Sequence, residues 1–261
     1  MEIITYNIWD LPLFFVKNRD KRMLDIAKFL TERKTDIICL QESWSLKHRA
    51  LLSEYMRKHG YHDAVHQTNI KRNNGGLLTF SKFPITSVRF IPFGRWAFSI
   101  SEIIGNKGVL ETIIETPKGL IRILNVHLHY ESSKLFKTSQ IRLRQLQKLF
   151  TAITQDETMP TILAGDFNQH TMMESKHFSQ LFTKEDFVTS KEPLLPTYRT
   201  ENPLVDNWIN RVSTSKRYDY ILTKNITHSG FMIKNYTPVY LPTALSDHDP
   251  VSLVLEEYPS D

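Results

Sequence analysis

"TALSDHDPVSLVL", residues 243–255, places a strand-like apolar run, Val251 to Leu255, directly behind Ser246, Asp247, His248, Asp249 and Pro250. On its own, a His between two Asp is a polar turn. Ahead of a core strand, the same residues interrupt the chain at the edge of the interior, and Pro250 helps stop the turn from continuing as helix. Such a stretch sets Asp247 and His248 in a cleft at a strand end.

The pattern recurs along the chain. Asn7 closes "TYN", Glu42 ends "CLQE", His127 and His129 end "RILNVHLH", Asp166 and Asn168 follow "TILAG", and Asp219 starts "DYIL". Amphipathic segments lie between these runs. In "RDKRMLDIAKFLTERK", Met23, Ile26, Ala27 and Leu30 recur at helical spacing. "LSEYMRKHG" reads as a helix ending on Gly60, "KTSQIRLRQLQKLFTAITQ" carries Ile141, Leu146, Leu149 and Ile153 on one stripe, and "ESKHFSQLF" is helical. The turn cluster "NNGG" feeds a strand over Leu77 to Ser81, and further strands are expected over Ser87 to Pro92, Val109 to Glu115 and Leu120 to His129. Hairpins mixed with helices predict an α/β protein with mixed sheets, not a doubly wound parallel sheet. Strands apolar on both faces suit two packed sheets with helices outside. With no low-complexity linker or internal repeat, residues 1–261 read as a single domain.

Composition narrows the classes. Of 261 residues, 41% are apolar and 11% aromatic, enough for a substantial core, so a disordered chain is excluded. A formal charge of +5 mildly favours phosphate-rich partners without choosing between nucleic acid and anionic membranes. The lone Cys39 sits in "DIICL" and reads as a packing residue. No apolar stretch approaches the roughly 18 residues that span a bilayer, so no transmembrane segment is expected. "MEIITYNIWD" lacks signal-peptide form, which makes a cytoplasmic protein the expectation, or a secreted one if a leader was removed. A monomer is expected.

A cleft lined by carboxylates, amides and imidazoles with no thiol cluster suits Mg²⁺ or Mn²⁺. Singly, each residue has an ordinary structural reading: Glu42 as a solvated cap, "GDFN" as a turn, His127 or His129 as a hydrogen-bonded strand histidine, Asp219 as a partner of Arg217, Trp208 as core. The ordered set is more demanding than any member.

"TYNIW", "LQE", "NGGLLTFSKFPI", "NVHLH", "RLRQLQKL", "GDFN", "YDYIL" and "SDHDPV" together resemble the endonuclease/exonuclease/phosphatase superfamily, the deoxyribonuclease I-like phosphoesterases, from Thr5 to Val251. The resemblance implies a four-layer α/β sandwich, a divalent cation and hydrolysis of a phosphate ester by activated water. It implies Glu42 as the main metal carboxylate, with Asn7 and Asp247 beside the metal or phosphate. It also implies Asp166 and Asn168 orienting water and phosphate, Asp219 holding His248, and His127 as the first strand-end histidine. In chemical terms, His248 and Asp166 would activate the water, while His127 and Asn168 donate hydrogen bonds to oxygens gaining charge.

Within that superfamily, "IGNKGVLETIIETPKGLIRILNVHLHYESS" and "LPTYRTENPLVDNW" are similar to neutral sphingomyelinases, making Lys107 a phosphate or positioning contact. A lipid head group is thus favoured over nucleic acid as the phosphodiester, with peripheral contact to a membrane. The interval between "DYI" and "SDH" holds only Phe231, Tyr236 and Tyr240 as aromatics, unlike the membrane-inserting hairpin of secreted bacterial sphingomyelinases. The alternative is a nuclease using Lys71, Arg72, Arg95, Arg211, Lys216 and Arg217 on phosphates. A phosphomonoesterase and a catalytically dead binding module stand behind it.

Overall fold

The computed structural model describes residues 1–12, 16, 18–64, 74–94, 105–130, 138–153, 158–170, 172–189, 195–205 and 213–258. Lys71, Arg72, Arg95, Trp208 and Arg211 lie outside the described residues. Two mixed sheets pack face to face. The six-stranded one comprises β1 (Glu2–Asn7), β2 (Ile37–Gln41), β3 (His62–Ala64), β4 (Leu78–Ser81), β10 (Phe231–Pro238) and β11 (Val251–Glu257), in the order β10-β11-β1-β2-β4-β3. The five-stranded one runs β5 (Ile85–Pro92), β6 (Gly108–Thr116), β7 (Gly119–His127), β8 (Thr161–Asp166) and β9 (Asp219–Lys224) in sequence order. Helices α1 (Arg19–Glu32) and α2 (Leu46–Lys58) cover the first sheet, and α3 (Thr138–Ile153) and α4 (Lys176–Lys184) cover the second. The result is the expected four-layer sandwich.

Strand periodicity explains the layering. On β1, Ile4 and Tyr6 face α1 and α2, meeting Met23, Ile26, Leu30, Leu52 and Met56. Leu124 and Val126 on β7 and Leu163 on β8 face Leu146, Leu149, Phe178 and Phe182 of α3 and α4. The opposite faces of these strands meet between the sheets, where Ile3, Ile37, Cys39, Ile121, Ile123, Ile162, Ala164 and Ile221 form a buried cluster. Cys39 is therefore a packing residue, and burial pushes its thiol up to about 12.

Along those inward faces the chemistry changes in steps of two residues. Ile3 is followed by Thr5 and Asn7; Ile37 by Cys39 and Gln41; Ile121 and Ile123 by Asn125 and His127; Ile162 by Ala164 and Asp166. On antiparallel β9 the order reverses, so Ile221 precedes Asp219 toward the same edge. Register aligns the polar ends: Asn7 pairs with Gln41, and Asp166 lies between His127 and Asp219. A hydrogen-bonded layer under that edge joins the sheets. Gln41 Nε2 donates to Asn125 Oδ1 at 2.8 Å, and Asn125 Nδ2 donates to the Leu40 and Leu78 carbonyls at 3.1 Å each.

Gly165 is required by this packing. Its φ of 155° places an added Cβ 1.9 Å from the Val126 carbonyl oxygen, a backbone atom that cannot move aside. Boundaries differ from the sequence expectations at several points. Strand β7 stops at His127, so His129 lies beyond the strand. Helix α2 begins at Leu46, where Ser45 caps the His48 N–H at 3.4 Å. Strand β10 was not expected, because its exposed Lys234 and Asn235 break the alternation.

Candidate active site

The sequence-expected residues converge on one strand-end edge. Glu42 follows β2 with φ 57°, a left-handed conformation unusual for a residue with a side chain, which turns its carboxylate out of the strand direction. Asn7 Nδ2 donates to Glu42 Oε1 at 3.1 Å and to Asp166 Oδ2 at 2.9 Å, so one amide ties the two sheets' carboxylates together. Ser246 Oγ donates to the Asn7 carbonyl at 2.7 Å, and the Asn202 amide holds the Ser246 carbonyl at 2.9 Å. Arg22 of α1 donates to the carbonyls of Ile8, Trp9 and Leu245, pinning the loop after β1 to the loop before Asp247.

On the far side, His248 Nδ1 lies 2.8 Å from Asp219 Oδ2, and His248 Nε2 lies 3.9 Å from Asp166 Oδ2. Asp219, not paired with Arg217, is held instead by Thr197, whose hydroxyl donates to Oδ2 at 2.6 Å. Tyr198 stands edge-on to the His248 ring at 5.1 Å between centroids. Arg217 is turned inward, its guanidinium donating to the Leu195 carbonyl and the Tyr236 hydroxyl at 2.8 and 2.5 Å. That geometry corrects the reading of Arg217 as a nucleic-acid phosphate contact. Arg199 forms a bidentate pair with Asp249 at 2.6 and 3.2 Å, which orders the far end of the "SDHD" turn.

Lys107 reaches the same edge from the turn before β6. Its ammonium lies 3.1 Å from His127 Nε2 and donates to the Leu128 carbonyl at 2.6 Å. An ammonium has no acceptor, so Nε2 accepts and the ring proton sits on Nδ1. The donor presented on this side is thus Lys107, with His127 behind it. His127 Nε2 is 3.7 Å from Asp166 Oδ2 and 3.9 Å from Glu42 Oε1. The Asn168 amide donates to the Leu128 carbonyl at 3.3 Å, while its backbone N–H holds Asp166 Oδ1 at 2.8 Å.

Burial sets the protonation states. It pushes Asp166 up to about 6, with Asp219 adding to the rise against His248 and the Asn7 amide. It pushes Asp247 up to about 7, with Glu42 adding to the rise against His248. Burial acts to lower His248, but Asp219, Asp166 and Asp247 outweigh it and hold the imidazole well above its usual value. His127 is driven well below its usual value by burial, then by Lys107.

A divalent cation fits this donor set. Glu42, His127 and Asp166 bring one ligand atom each within 4.8 Å of one another, and Asp166, Asp219 and His248 form a second such group. Glu42 Oε2 and Asp219 Oδ1 are buried with no hydrogen-bond partner among the described residues. Unpaired buried carboxylate oxygens are costly unless a cation satisfies them. Asn7 flanks the first group through its amide, and Asp247 Oδ1 lies 3.2 Å from Ser246 Oγ. Thr197 and Tyr198 carry no distinctive signal within "LPTYR", because a hydroxyl's role depends on what the fold brings to it.

Two packed mixed sheets with carboxylates, amides and imidazoles at one edge define the deoxyribonuclease I-like class of α/β sandwich. The chain belongs to the Endonuclease/Exonuclease/phosphatase family, whose model matches residues 4–248. A Drosophila melanogaster protein named as a neutral sphingomyelinase is 28% identical over 180 residues, 64% of this chain and 39% of that protein. An inositol phosphosphingolipids phospholipase C of Schizosaccharomyces pombe is 32% identical over 182 residues, 64% of this chain and 41% of that protein. The chain thus spans about two fifths of the length of these curated relatives. The crystal structure of sphingomyelinase C from Streptomyces griseocarneus matches with a TM-score of 0.75 at 17% identity, covering 97% of this chain and 98% of that one; at this identity the likeness concerns the fold.

Proposed function

We propose that this chain is a divalent-cation-dependent phosphodiesterase that hydrolyses a phosphosphingolipid at its head-group phosphate by activated water. The observation that carries the reaction is the Asp219–His248–Asp166 series opposite the Asn7–Glu42 pair, with Lys107 at the rim. The names of the two curated relatives support the lipid class.

Glu42, tied to Asn7, would hold Mg²⁺ or Mn²⁺. That ion would supply Lewis-acid neutralisation of a non-bridging phosphate oxygen. Asp166, raised toward neutrality and fixed by Asn7 and the Asn168 N–H, accepts the proton of the attacking water. His248 was expected to share that base role; the carboxylates around it keep it protonated, so it is better suited to donate to an oxygen gaining charge. Asp219 holds its Nδ1–H and fixes the ring. Lys107 offers the ammonium donors on the opposite side, and Asp247, raised to about 7, lies near Glu42. Among the described residues, no helix is long and apolar enough to cross a membrane.

The test is purified protein with Mg²⁺, offered sphingomyelin or an inositol phosphosphingolipid in mixed micelles and, separately, supercoiled plasmid. Head-group phosphate release that disappears in His248→Ala is the expected result. Plasmid nicking lost in the same variant would replace the lipid reading by a nuclease. No turnover of either would point to a binding module.

A further inference from the structure

Trp44 lies two residues past Glu42, and its backbone N–H donates to the Glu42 carbonyl at 3.0 Å. Its indole is seated between two glycines from separate loops. A Cβ on Gly76 would stand 3.0 Å from Trp44 Cδ2, and a Cβ on Gly105 would stand 3.2 Å from Trp44 Cη2. The glycine loops also touch each other, since a Cβ on Gly75 would meet Asn106 O, Lys107 Cα and Gly108 N at 3.3 Å each. Ser43 N–H donates to the Gly76 carbonyl at 2.8 Å, which closes the ring of contacts back to the Glu42 loop. The indole N–H is buried without a hydrogen-bond partner among the described residues.

We infer that Trp44 is a positioning residue: wedged between Gly76 and Gly105, it fixes the loop carrying Glu42 relative to the turn carrying Lys107. The inference rests on the roles proposed above for those two side chains. It explains why both "NGG" and "GNKG" carry glycines at the indole, with Gly76 also needing its φ of 70°. Gly105 has no positive φ, so alanine there adds bulk against the indole without backbone strain. Displacing the Lys107 turn by a few tenths of an ångström leaves the core intact and misaligns the ammonium.

The test uses the whole chain, Mg²⁺ and bis(4-nitrophenyl) phosphate, a soluble diester that bypasses the lipid question. Gly105→Ala is expected to lower kcat/KM about 10-fold, mostly in kcat, since small misplacements of a positioned group cost rate. Adding Trp44→Phe, a shorter ring, to Gly105→Ala should restore most of that loss. In a Lys107→Met background, Gly105→Ala should cost less than about two-fold, because groups acting as a unit are not additive. Independently of turnover, the ¹⁵N resonance of Lys107 Nζ should move in Gly105→Ala and return in the double variant. Losses that multiply in the double variant, an equal cost with and without Lys107, or an unmoved Nζ signal would each overturn the proposal. Failure of lipid turnover with this coupling intact would refute only the lipid substrate.

Discussion

The two halves of the space between the sheets are built on the same strands and do opposite things. In the far half, Ile3, Ile37, Ile121, Ile123, Ile162 and Ile221 bury apolar surface, which stabilises the sandwich. In the near half, the same inward positions become Asn7, Gln41, Asn125, His127, Asp166 and Asp219, all buried. There burial costs free energy, raises Asp166 and Asp247, and leaves carboxylate oxygens without partners. Stability made at one end of each strand thus offsets the strain of a charged site at the other. The Gln41–Asn125 layer marks the boundary, neutral and hydrogen-bonded across the sheets.

The comparison breaks most sharply at His248. Its replacement by alanine should lower kcat by ~10³-fold or more, a loss out of proportion to any fall in the unfolding midpoint, measured by initial rates and thermal melts. A large loss of stability with little loss of rate would reverse the roles given to the two halves. Ile123→Ala should do the opposite, costing about 2–5 kcal/mol in urea unfolding with kcat nearly unchanged.

A third test uses pH. Asp166 and Asp247, raised to about 6 and about 7, keep protons in the folded chain that an unfolded carboxyl has released, and His248 also binds its proton more tightly when folded. Each group contributes stability below its unfolded pKa and loses it as pH rises through its folded pKa. Chelated protein should therefore lose stability between about pH 4 and about pH 7 as Asp166 and Asp247 ionise, with the loss from His248 beginning only above about pH 6.5, judged by urea midpoints. Mg²⁺ at neutral pH should restore stability, and Asp247→Asn should flatten the dependence. A chelated protein whose stability rises over that window would contradict the burial argument. The smallest effect is expected at the boundary: Asn125→Ala, which strands the Gln41 amide and two carbonyls, should cost about 1–3 kcal/mol.

Much of this division can be read from the chain itself. Glu42, Asp166, Asp219 and His248 stand out as an ordered set at the ends of apolar runs, although each alone has an ordinary structural reading. The sandwich follows from strands apolar on both faces. Less was legible where meaning depends on distant partners. Thr197 is an ordinary hydroxyl until the fold sets it on Asp219, and Arg217 looks like a surface cation until Tyr236 and Leu195 enclose it. Leu46 starts α2 yet is exposed, so it contributes nothing to an apolar stripe, and the helix start is hidden from periodicity. The pairing of Lys107 with His127 joins residues twenty positions apart through a hairpin whose register sequence does not state.

The central claim is that the polar ends of the inward faces form a cation-dependent hydrolytic centre. Its most direct test is release of 4-nitrophenol from bis(4-nitrophenyl) phosphate by wild-type protein and Asp166→Asn, first with chelator and then with Mg²⁺ restored. Turnover absent under chelation, recovered with Mg²⁺ and missing in Asp166→Asn is the predicted result. Turnover that persists with chelator, or survives intact in Asp166→Asn, would contradict it.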